Sequence, residues 1–373
     1  MRIPYFQPWI TNQDISFVQK ALKNRWLTNG PILQKFEKSF QNFLDTKYAV
    51  GVGNATQALH VALRSIDIQK GDEVIVPTFT FAATANSVIY CGAKPVFADV
   101  DIDTFNIKPE EIKKNISKKT KAIIPVHYGG QSCDMNEILS ISKDHHLNII
   151  EDCAHSLGSQ YNNQMCGNIG NIGCFSFYAT KVMTTGEGGM ISTNNNQINK
   201  KARLLRSQGM SIQARERENQ AQWKYDIIDL GYNYRMDEIR ASLGLSQFKR
   251  LHQSNKMRIK IAKKYDQLLR KIKGITPPLI KSDRNHIYHL YTVKIEKDYE
   301  LTRDELFLKL SKNGVGSSVQ YYPLHLMSYY KKNFKTNSKK LLNANKLKDQ
   351  VICLPIFPTM TDKQIAYVVK CLS

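Results

Sequence analysis

The 373-residue sequence is poor in the features that mark secreted and membrane proteins. Its seven cysteines are an odd number and include no Cys-x-x-Cys pair, so we expect reduced thiols and no disulfide framework. The first residues, Met1 to Phe6, do not form the charged-then-apolar pattern of a signal peptide. No apolar run approaches the roughly 20 residues that span a bilayer. We therefore expect a cytoplasmic protein with no membrane partner.

Several motifs of metal- and nucleotide-dependent enzymes are also absent or incomplete. The sequence has no His-Glu-x-x-His zinc motif and no Gly-Lys-Ser/Thr phosphate loop. The acidic run 99–103 continues to Thr104, where a calcium loop requires glycine, and it follows a strand instead of a helix. The segment 51–56 begins like a dinucleotide fingerprint but has Thr56 in place of the third glycine. These departures argue against dinucleotide binding and against a metal site.

Positive charge is in large excess. The sequence has 53 Lys and Arg residues against 32 Asp and Glu residues, which gives a net charge of +21. Such a bias favours anionic partners, either nucleic acid or a phosphorylated small molecule. The lysines are spread along the chain, with denser stretches at 249–273 and 331–348. A solvated, lysine-rich surface is the simpler interpretation, and we expect no nucleic-acid partner.

Apolar strands alternate with helical segments through the first two thirds of the sequence. A helix is predicted at 32–44, because apolar residues recur there at helical spacing. Seven strands are predicted, at 48–52, 73–77, 95–100, 121–126, 147–152, 173–177 and 190–193. This alternation predicts the α/β class, with a mainly parallel seven-stranded sheet covered by helices on both faces. From about residue 250 onward, a basic helix, a strand at 289–295 and a helix at 302–313 predict a smaller α+β domain.

The stretch from 147 to 190 suggests a chemistry. Its first strand ends in Glu151 and Asp152, at the sheet edge where α/β proteins place ligands. A later strand leads into a turn with Ser176 and Lys181, and a glycine-rich turn follows. This pattern suits pyridoxal 5′-phosphate (PLP), whose aldehyde binds a lysine amine and whose pyridine nitrogen needs an acid. The helix that begins after Gly53 would offer N–H groups to a phosphate. An ordinary strand-end acid, loop lysine and strand-to-helix turn are the alternative.

Motifs along nearly the whole chain resemble the DegT/StrS family of sugar aminotransferases. The central ones are Glu-Asp-Cys-Ala-His at 151–155, Ser-Phe-Tyr-Ala-Thr-Lys at 176–181, Thr-Gly-Glu-Gly-Gly at 185–189 and Gly-Tyr-Asn-Tyr-Arg-Met-Asp-Glu-Ile at 231–239. The flanking ones are Trp-Leu-Thr-Asn-Gly-Pro at 26–31, Pro-Thr-Phe-Thr-Phe at 77–81, Val-His-Tyr-Gly at 126–129, Gln-Tyr-Tyr-Pro-Leu-His at 320–325 and Leu-Pro-Ile-Phe-Pro at 354–358.

This resemblance implies the PLP-dependent transferase fold type I and a homodimer with shared active sites. It implies a large PLP-binding domain at 1–250, including an N-terminal arm, and a small C-terminal domain at 251–373. Lys181 would form the Schiff base, and Asp152 would pair with the pyridine N–H. The other implied cofactor contacts are the phosphate ligands Ala55, Thr56 and Ser176, the stacking ring of Phe81, His155, and Asn233, which would reach the phosphate in the partner subunit. The implied substrate contacts, each with a structural role as the open alternative, are His127, Tyr178, Arg235, Tyr321 and His325.

The family resemblance also implies the reaction. An amino group would pass from L-glutamate to a nucleotide-activated keto sugar, with the cofactor as PLP or pyridoxamine phosphate (PMP). The segments 3–5 and 319–325 are most similar to enzymes that aminate C4 of a 4-keto-6-deoxy sugar, forming a 4-amino sugar for surface glycan or glycoprotein biosynthesis. Amination at C3 of a 3-keto sugar is the alternative. A sugar-dehydrating branch of the family has histidine where this sequence has Lys181, so the lysine argues against dehydration. A basic nucleic-acid-binding protein is the alternative from another class.

Overall fold

The computed structural model of the protein describes residues 1–211 and 223–373. Its strands are β1 (Tyr48–Val52), β2 (Glu73–Pro77), β3 (Lys94–Ala98), β4 (Thr120–Ile123), β5 (Asn148–Asp152), β6 (Gln160–Tyr161), β7 (Gln164–Met165), β8 (Ile172–Ser176), β9 (Gly189–Thr193), β10 (Ile275–Thr276), β11 (Tyr291–Ile295) and β12 (Val351–Leu354). One sheet has seven strands in the order β1-β9-β8-β5-β4-β2-β3. Strand β9 runs antiparallel to β1 and β8, and the other neighbouring pairs are parallel. The prediction of a mainly parallel seven-stranded sheet is confirmed.

Each of the seven predicted strands begins within one residue of its predicted start. Two of them end two or more residues earlier than predicted, β3 at Ala98 and β4 at Ile123. Beyond these points Val100 pairs with Ile107 and Val126 pairs with Asp152, as single bridges outside the sheet ladder. The apolar run therefore continues past the strand because these residues stay buried, not because they extend the sheet.

Helices cover both faces of this sheet. The α-helices of the described residues are α1 (Asn12–Lys23), α2 (Pro31–Leu44), α3 (Ala55–Ser65), α4 (Ala82–Tyr90), α5 (Pro109–Asn115), α6 (Met135–His145), α7 (Asn196–Leu205), α8 (Glu238–Phe248), α9 (Leu251–Leu269), α10 (Arg303–Lys312), α11 (Ser328–Asn333), α12 (Leu342–Leu347) and α13 (Asp362–Lys370). Successive strand residues pack to opposite sides. Val74 and Ile150 join a core with α3, α4 and α7, whereas Ile75 and Ile149 join one with α5 and α6. None of the helices in these described ranges is long and apolar enough to cross a membrane.

A second layer forms around the antiparallel sheet β10-β11-β12. Apolar residues of α9, α10 and α13 pack against this sheet, and Tyr265 is fully buried among them. The start of the chain also joins this layer, because the Ile3 N–H donates to the Gly314 carbonyl and the Ile3 carbonyl accepts from the Gly316 N–H. A domain boundary between residues 250 and 251 stays a prediction.

The topology brings five chain segments to one edge of the large sheet. Strands β5 and β8 are parallel neighbours, so their carboxyl ends, Asp152 and Ser176, lie at the same edge. Gly189, at the start of β9, pairs with Ser176. Helix α3 begins shortly after β1, at Ala55, and α4 begins shortly after β2, next to Phe81. Ligands of α/β proteins bind at such an edge, and the candidate site is built there.

Candidate active site

Asp152 is the buried acid of the site, with 5% of its surface exposed. Its Oδ2 accepts a hydrogen bond from Thr84 Oγ1 at 2.9 Å, and its Oδ1 accepts one from the Ala154 N–H at 3.1 Å. Burial raises the pKa of the Asp152 carboxyl, while these two hydrogen bonds and the charge of Lys181 act in the opposite direction. The carboxylate is therefore held in a fixed orientation beside a cationic group. Thr84, on α4, is a site residue that the sequence motifs did not identify.

Lys181 lies in the turn that follows β8. Hydrogen bonds of 2.9 Å close this turn, from the Lys181 N–H to the Tyr178 carbonyl and from the Thr185 N–H to the Phe177 carbonyl. Burial lowers the pKa of the Lys181 amine to about 8, and the neighbouring Asp152 opposes this shift. A substantial fraction of the amine is therefore neutral in mildly alkaline solution, which is the form that attacks an aldehyde.

His155 and Tyr321 form a wall of the site. The His155 Nδ1 accepts a hydrogen bond from the Gly129 N–H at 3.3 Å, so Nε2 carries the proton and donates to the Tyr321 hydroxyl at 3.0 Å. Burial and the Lys181 charge hold the pKa of His155 well below its usual value, which keeps the ring neutral. Phe81 lies with its ring centre 6.2 Å from that of Tyr321 and is 62% exposed. An exposed aromatic ring here can stack on a planar ligand.

The start of α3 forms the polar end of the site. Asn54 caps this helix, and the N–H groups of Ala55 and Thr56 have no hydrogen-bond partner among the described residues. A Cβ atom on Gly189 would lie 2.6 Å from the Asn54 carbonyl and 2.9 Å from the Ala55 nitrogen, so the backbone of β9 lies directly against the helix start. Gly189 pairs with Ser176, so Ser176 is the strand neighbour of the residue that lies against this helix start, and its hydroxyl accepts a hydrogen bond from the Tyr178 N–H at 3.4 Å. Such an arrangement suits a phosphate.

Three other predicted contacts lie at the periphery. Tyr178 is 47% exposed, and Asn233 is also exposed. Arg235 is half-buried, and its backbone pairs with Val52 at the end of β1. No hydrogen bond joins the side chains of Tyr178, Asn233 or Arg235 to Asp152 or Lys181 within the ranges that the structure describes.

His127 was predicted as a substrate contact, with a structural role as the open alternative. Its ring is wholly buried; Nε2 donates to Glu151 Oε2 at 2.9 Å and Nδ1 accepts from the Cys133 N–H at 3.1 Å. The Glu151 carboxylate also accepts three backbone N–H groups from the loop after β7. His127, Glu151 and Cys153 lie close enough together to resemble a metal site, but the imidazole and carboxylate are already engaged in these protein hydrogen bonds. These contacts favour the structural alternative for His127.

His325 was also predicted as a substrate contact, with a structural role as the open alternative. Its ring is 3% exposed, with Nδ1 2.7 Å from Thr78 Oγ1 and Nε2 3.1 Å from Asn345 Oδ1. Both ring nitrogens therefore have protein partners. The side chain joins the loop after β2 to α12, which favours the structural alternative.

Comparisons with known proteins match this arrangement to one family. Residues 8–373 match the model of the DegT/DnrJ/EryC1/StrS aminotransferase family. The chain is 40% identical over 371 residues to the spore coat polysaccharide biosynthesis protein SpsC of Bacillus subtilis, covering 99% of this chain and 95% of that protein. It is 34% identical over 378 residues to the UDP-4-amino-4-deoxy-L-arabinose–oxoglutarate aminotransferase of Shewanella sediminis, covering 100% of this chain and 97% of that protein.

A solved structure extends the similarity to the fold. The putative sugar aminotransferase Spr1654 from Streptococcus pneumoniae, in its PMP form, superposes with a TM-score of 0.94 at 30% identity, covering 100% of this chain and 98% of that one. The PLP form of the same protein superposes with a TM-score of 0.92. The resemblance read from the sequence motifs is confirmed, as is the fold class.

The burial of Lys181 predicts unusual amine reactivity in protein freed of small molecules. Acetylation of Lys181 by acetic anhydride, followed by peptide mass spectrometry, should be half-maximal near pH 8, because only the neutral amine reacts. Asp152→Asn should move this midpoint to lower pH, since it removes the negative charge that opposes the shift. Exposed lysines of the same sample are the internal control, with a reference pKa of about 10.4. A Lys181 midpoint equal to theirs would contradict the assignment.

Proposed function

The chain belongs to the DegT/DnrJ/EryC1/StrS aminotransferase family, and on this basis we propose that it transfers the amino group of L-glutamate to C4 of a nucleotide-linked 4-keto-6-deoxy sugar. It is a PLP-dependent aminotransferase of sugar nucleotides. The proposed product is a 4-amino sugar for surface glycan or glycoprotein synthesis. The observation that carries the proposal is the buried acid and buried amine held side by side at the sheet edge.

The residues around Lys181 and Asp152 fit the reactive part of PLP. The Lys181 amine would bind the cofactor's aldehyde carbon, and the Asp152 carboxylate would bind the pyridine N–H. The exposed Phe81 ring would stack on the pyridine, and the neutral His155 lies beside it. Bound PLP supplies an electron sink for the carbon that carries the amino group. Each of these roles requires a group that is buried, oriented or exposed in the way the structure has it.

The start of α3 fits the cofactor phosphate. The free N–H groups of Ala55 and Thr56 would donate to phosphate oxygens, and Ser176 would donate its hydroxyl proton. Gly189 makes this approach possible, because a larger residue there would collide with the helix start. The phosphate and aldehyde contacts then lie on segments that follow β1 and β8, which flank β9 in the same sheet.

Lys181 and Asp152 would also control the protons of the reaction. With its pKa near 8, the Lys181 Nζ accepts a proton from the amino-bearing carbon of the donor and later returns one to the sugar carbon. Asp152, fixed by Thr84 and Ala154, would hold the proton on the pyridine nitrogen of bound PLP. His155 fixes the Tyr321 hydroxyl through its Nε2 proton.

The C4 assignment is supported by two chain segments that the structure brings together. The Tyr5 hydroxyl accepts a hydrogen bond from Gln320 Nε2 at 3.2 Å, so the N-terminal arm lies against the segment that contains Tyr321. These are the segments most similar to C4 aminotransferases. The Shewanella sediminis relative is named for a UDP-linked 4-amino sugar and for oxoglutarate, which is the keto acid that glutamate becomes. We propose Tyr321, Tyr178 and Arg235 as substrate contacts.

A homodimer is proposed from the surface around Asn233. Trp223, Ile227, Ile228 and Leu230 are large apolar residues between 53% and 82% exposed, and they precede Asn233 closely in the chain. Contiguous apolar surface of this kind marks protein interfaces. A second copy of the chain would cover it, and Asn233 would then reach the phosphate in the partner subunit.

The function is tested by direct assay with Asp152→Asn. Wild type should aminate a nucleotide 4-keto-6-deoxy sugar with L-glutamate, giving a product identified by mass and NMR. Asp152→Asn should bind PLP but turn over roughly 100-fold more slowly or worse, because an amide does not hold the pyridine proton as a carboxylate does.

The matched control is Asp99→Asn, which changes another buried aspartate whose carboxylate accepts hydrogen bonds from the N–H groups of Val100, Asn343 and Ala344. It should leave turnover within a few-fold of wild type. Activity confined to a 3-keto sugar would reject the C4 assignment, and near-normal turnover of Asp152→Asn would remove this acid from its role.

The shared site is tested by complementation. Lys181→Ala and Asn233→Ala are each expected to be severely impaired, but refolding them together should restore up to about a quarter of wild-type activity, since half of the randomly paired dimers carry one intact site. Lys181→Ala refolded with Asp152→Asn is the control. It should restore nothing, because both residues serve the same chain's site. Absence of recovery in a verified Lys181→Ala and Asn233→Ala heterodimer would show that Asn233 does not act across the interface.

A further inference from the structure

Arg258 is a buried cation without an acidic partner. It lies on α9, 3% exposed, and its Nη1 donates to the carbonyls of Ile356 at 2.9 Å and Tyr288 at 3.4 Å. Its Nε has no hydrogen-bond partner, and no carboxylate of the described residues forms an ion pair with it. Burial lowers the pKa of Arg258 only to about 10, so the group stays charged at neutral pH. Leaving such a charge uncompensated costs several kcal/mol or more.

The polar groups around Arg258 do not supply the missing negative charge. His289 is buried, its Nδ1 has no partner, and burial with the charges of Lys181 and Arg258 holds its pKa well below the usual value. Burial raises the pKa of Tyr5 well above its usual value, so this phenol is neutral. The ring of His289 lies 4.5 Å from that of His155, which faces Lys181 and is also neutral.

Arg258 and Lys181 line the same cavity. The N-terminal arm, at residues 6–9, closes this cavity from one side, and Ser254 lies on its wall. Arg250 is another cation on the wall, but Asp14 pairs with it. The cavity wall therefore carries, besides Lys181, one arginine without an acidic partner. His289 is not part of this wall, but its buried ring, with no partner on Nδ1, lies within the influence of the charges of both Lys181 and Arg258.

We propose that Arg258 binds the α-carboxylate of the amino donor, with His289 as a second polar contact. This assignment rests on the proposed function, because it needs an amino acid as the donor. The carboxylate is bonded to the carbon whose proton Lys181 removes, so it must lie within a few ångströms of the Lys181 amine. A guanidinium is suited to a carboxylate because its N–H groups match the two oxygens.

The assignment separates the two substrates that share the site. An amino acid brings a carboxylate next to the reacting carbon, whereas a keto sugar brings only hydroxyl and ring oxygens there. Arg258 is therefore expected to matter for the donor half of the reaction and not for the sugar half. If Arg258 served only to hold the carbonyls of Tyr288 and Ile356, its loss would weaken folding and affect both halves equally.

The first test measures the two halves separately on Arg258→Gln and Arg258→Lys. L-Glutamate, or the amino sugar that wild type produces, is mixed with the PLP-loaded protein, and the loss of its visible absorbance is followed. The glutamate concentration for half-maximal rate should rise about 10- to 100-fold in Arg258→Gln, the effect of losing a charge-assisted hydrogen bond. The amino-sugar concentration for half-maximal rate should stay within about two-fold of the wild-type value. Arg258→Lys should give a glutamate concentration between those of wild type and Arg258→Gln. If Arg258→Gln does not fold, Arg258→Lys alone provides the test.

Arg303→Gln is the matched control. Arg303 is a buried arginine of the same layer whose Nη1 donates to the Val351 carbonyl at 3.1 Å, but it pairs with Asp304 and lies outside the cavity. Its substitution should reduce stability without changing the glutamate dependence. Equal losses for glutamate and amino sugar in the Arg258 variants would overturn the assignment.

A second readout needs no turnover. The PLP-loaded protein reduced with borohydride is inactive, and binding of glutarate, a dicarboxylate without an amine, can be measured on it by calorimetry. Wild type should bind glutarate about 10- to 100-fold more tightly than Arg258→Gln. Equal affinity would contradict the assignment. A failure of the proposed function has a different signature, since the PLP-loaded wild type itself would then not lose its visible absorbance with L-glutamate or with a 4-amino sugar.

Discussion

The site depends on one electrostatic arrangement, in which a carboxylate and an amine are both buried at the carboxyl edge of the large sheet. Burial disfavours the charged form of each group, raising the pKa of Asp152 and lowering that of Lys181 to about 8, while each charge limits the shift of the other. The parallel pairing of β5 with β8 creates the arrangement, because Asp152 ends one strand and Lys181 lies in the turn after the other. Thr84, His155 and Tyr321 then fix the orientation of the groups around it.

The sequence predicted the strands that carry this site well, because a strand is determined by a local pattern of residues. Apolar runs placed the starts of all seven strands, and the motifs around Asp152 and Lys181 identified the acid and the amine. Local patterns do not determine what a polar ring contacts, however. His325 was predicted as a substrate contact from its motif, and the structure shows its ring hydrogen-bonded to Thr78, which is 247 residues away in the chain. The direction of such a ring depends on which distant segment packs beside it.

Arg258 and His289 were missed for a different reason. Helix α9 buries residues at helical spacing, including Leu251, Arg258 and Tyr265. A charged residue on the apolar face of an amphipathic helix is a recognisable signal, because burial without a partner is costly. The dense lysines of the same helix hid it, since they made the whole segment look like a solvated basic surface. The general lesson is that the position of a charge on a helix is more informative than the number of charges.

The central claim is that Lys181, next to Asp152, holds the cofactor. The most direct measurement is borohydride reduction of the PLP-loaded protein followed by proteolysis and mass spectrometry of every lysine-containing peptide. The account predicts one phosphopyridoxyl group per chain, on the peptide that contains Lys181. A stoichiometric label on any other lysine, with Lys181 unmodified, would contradict it.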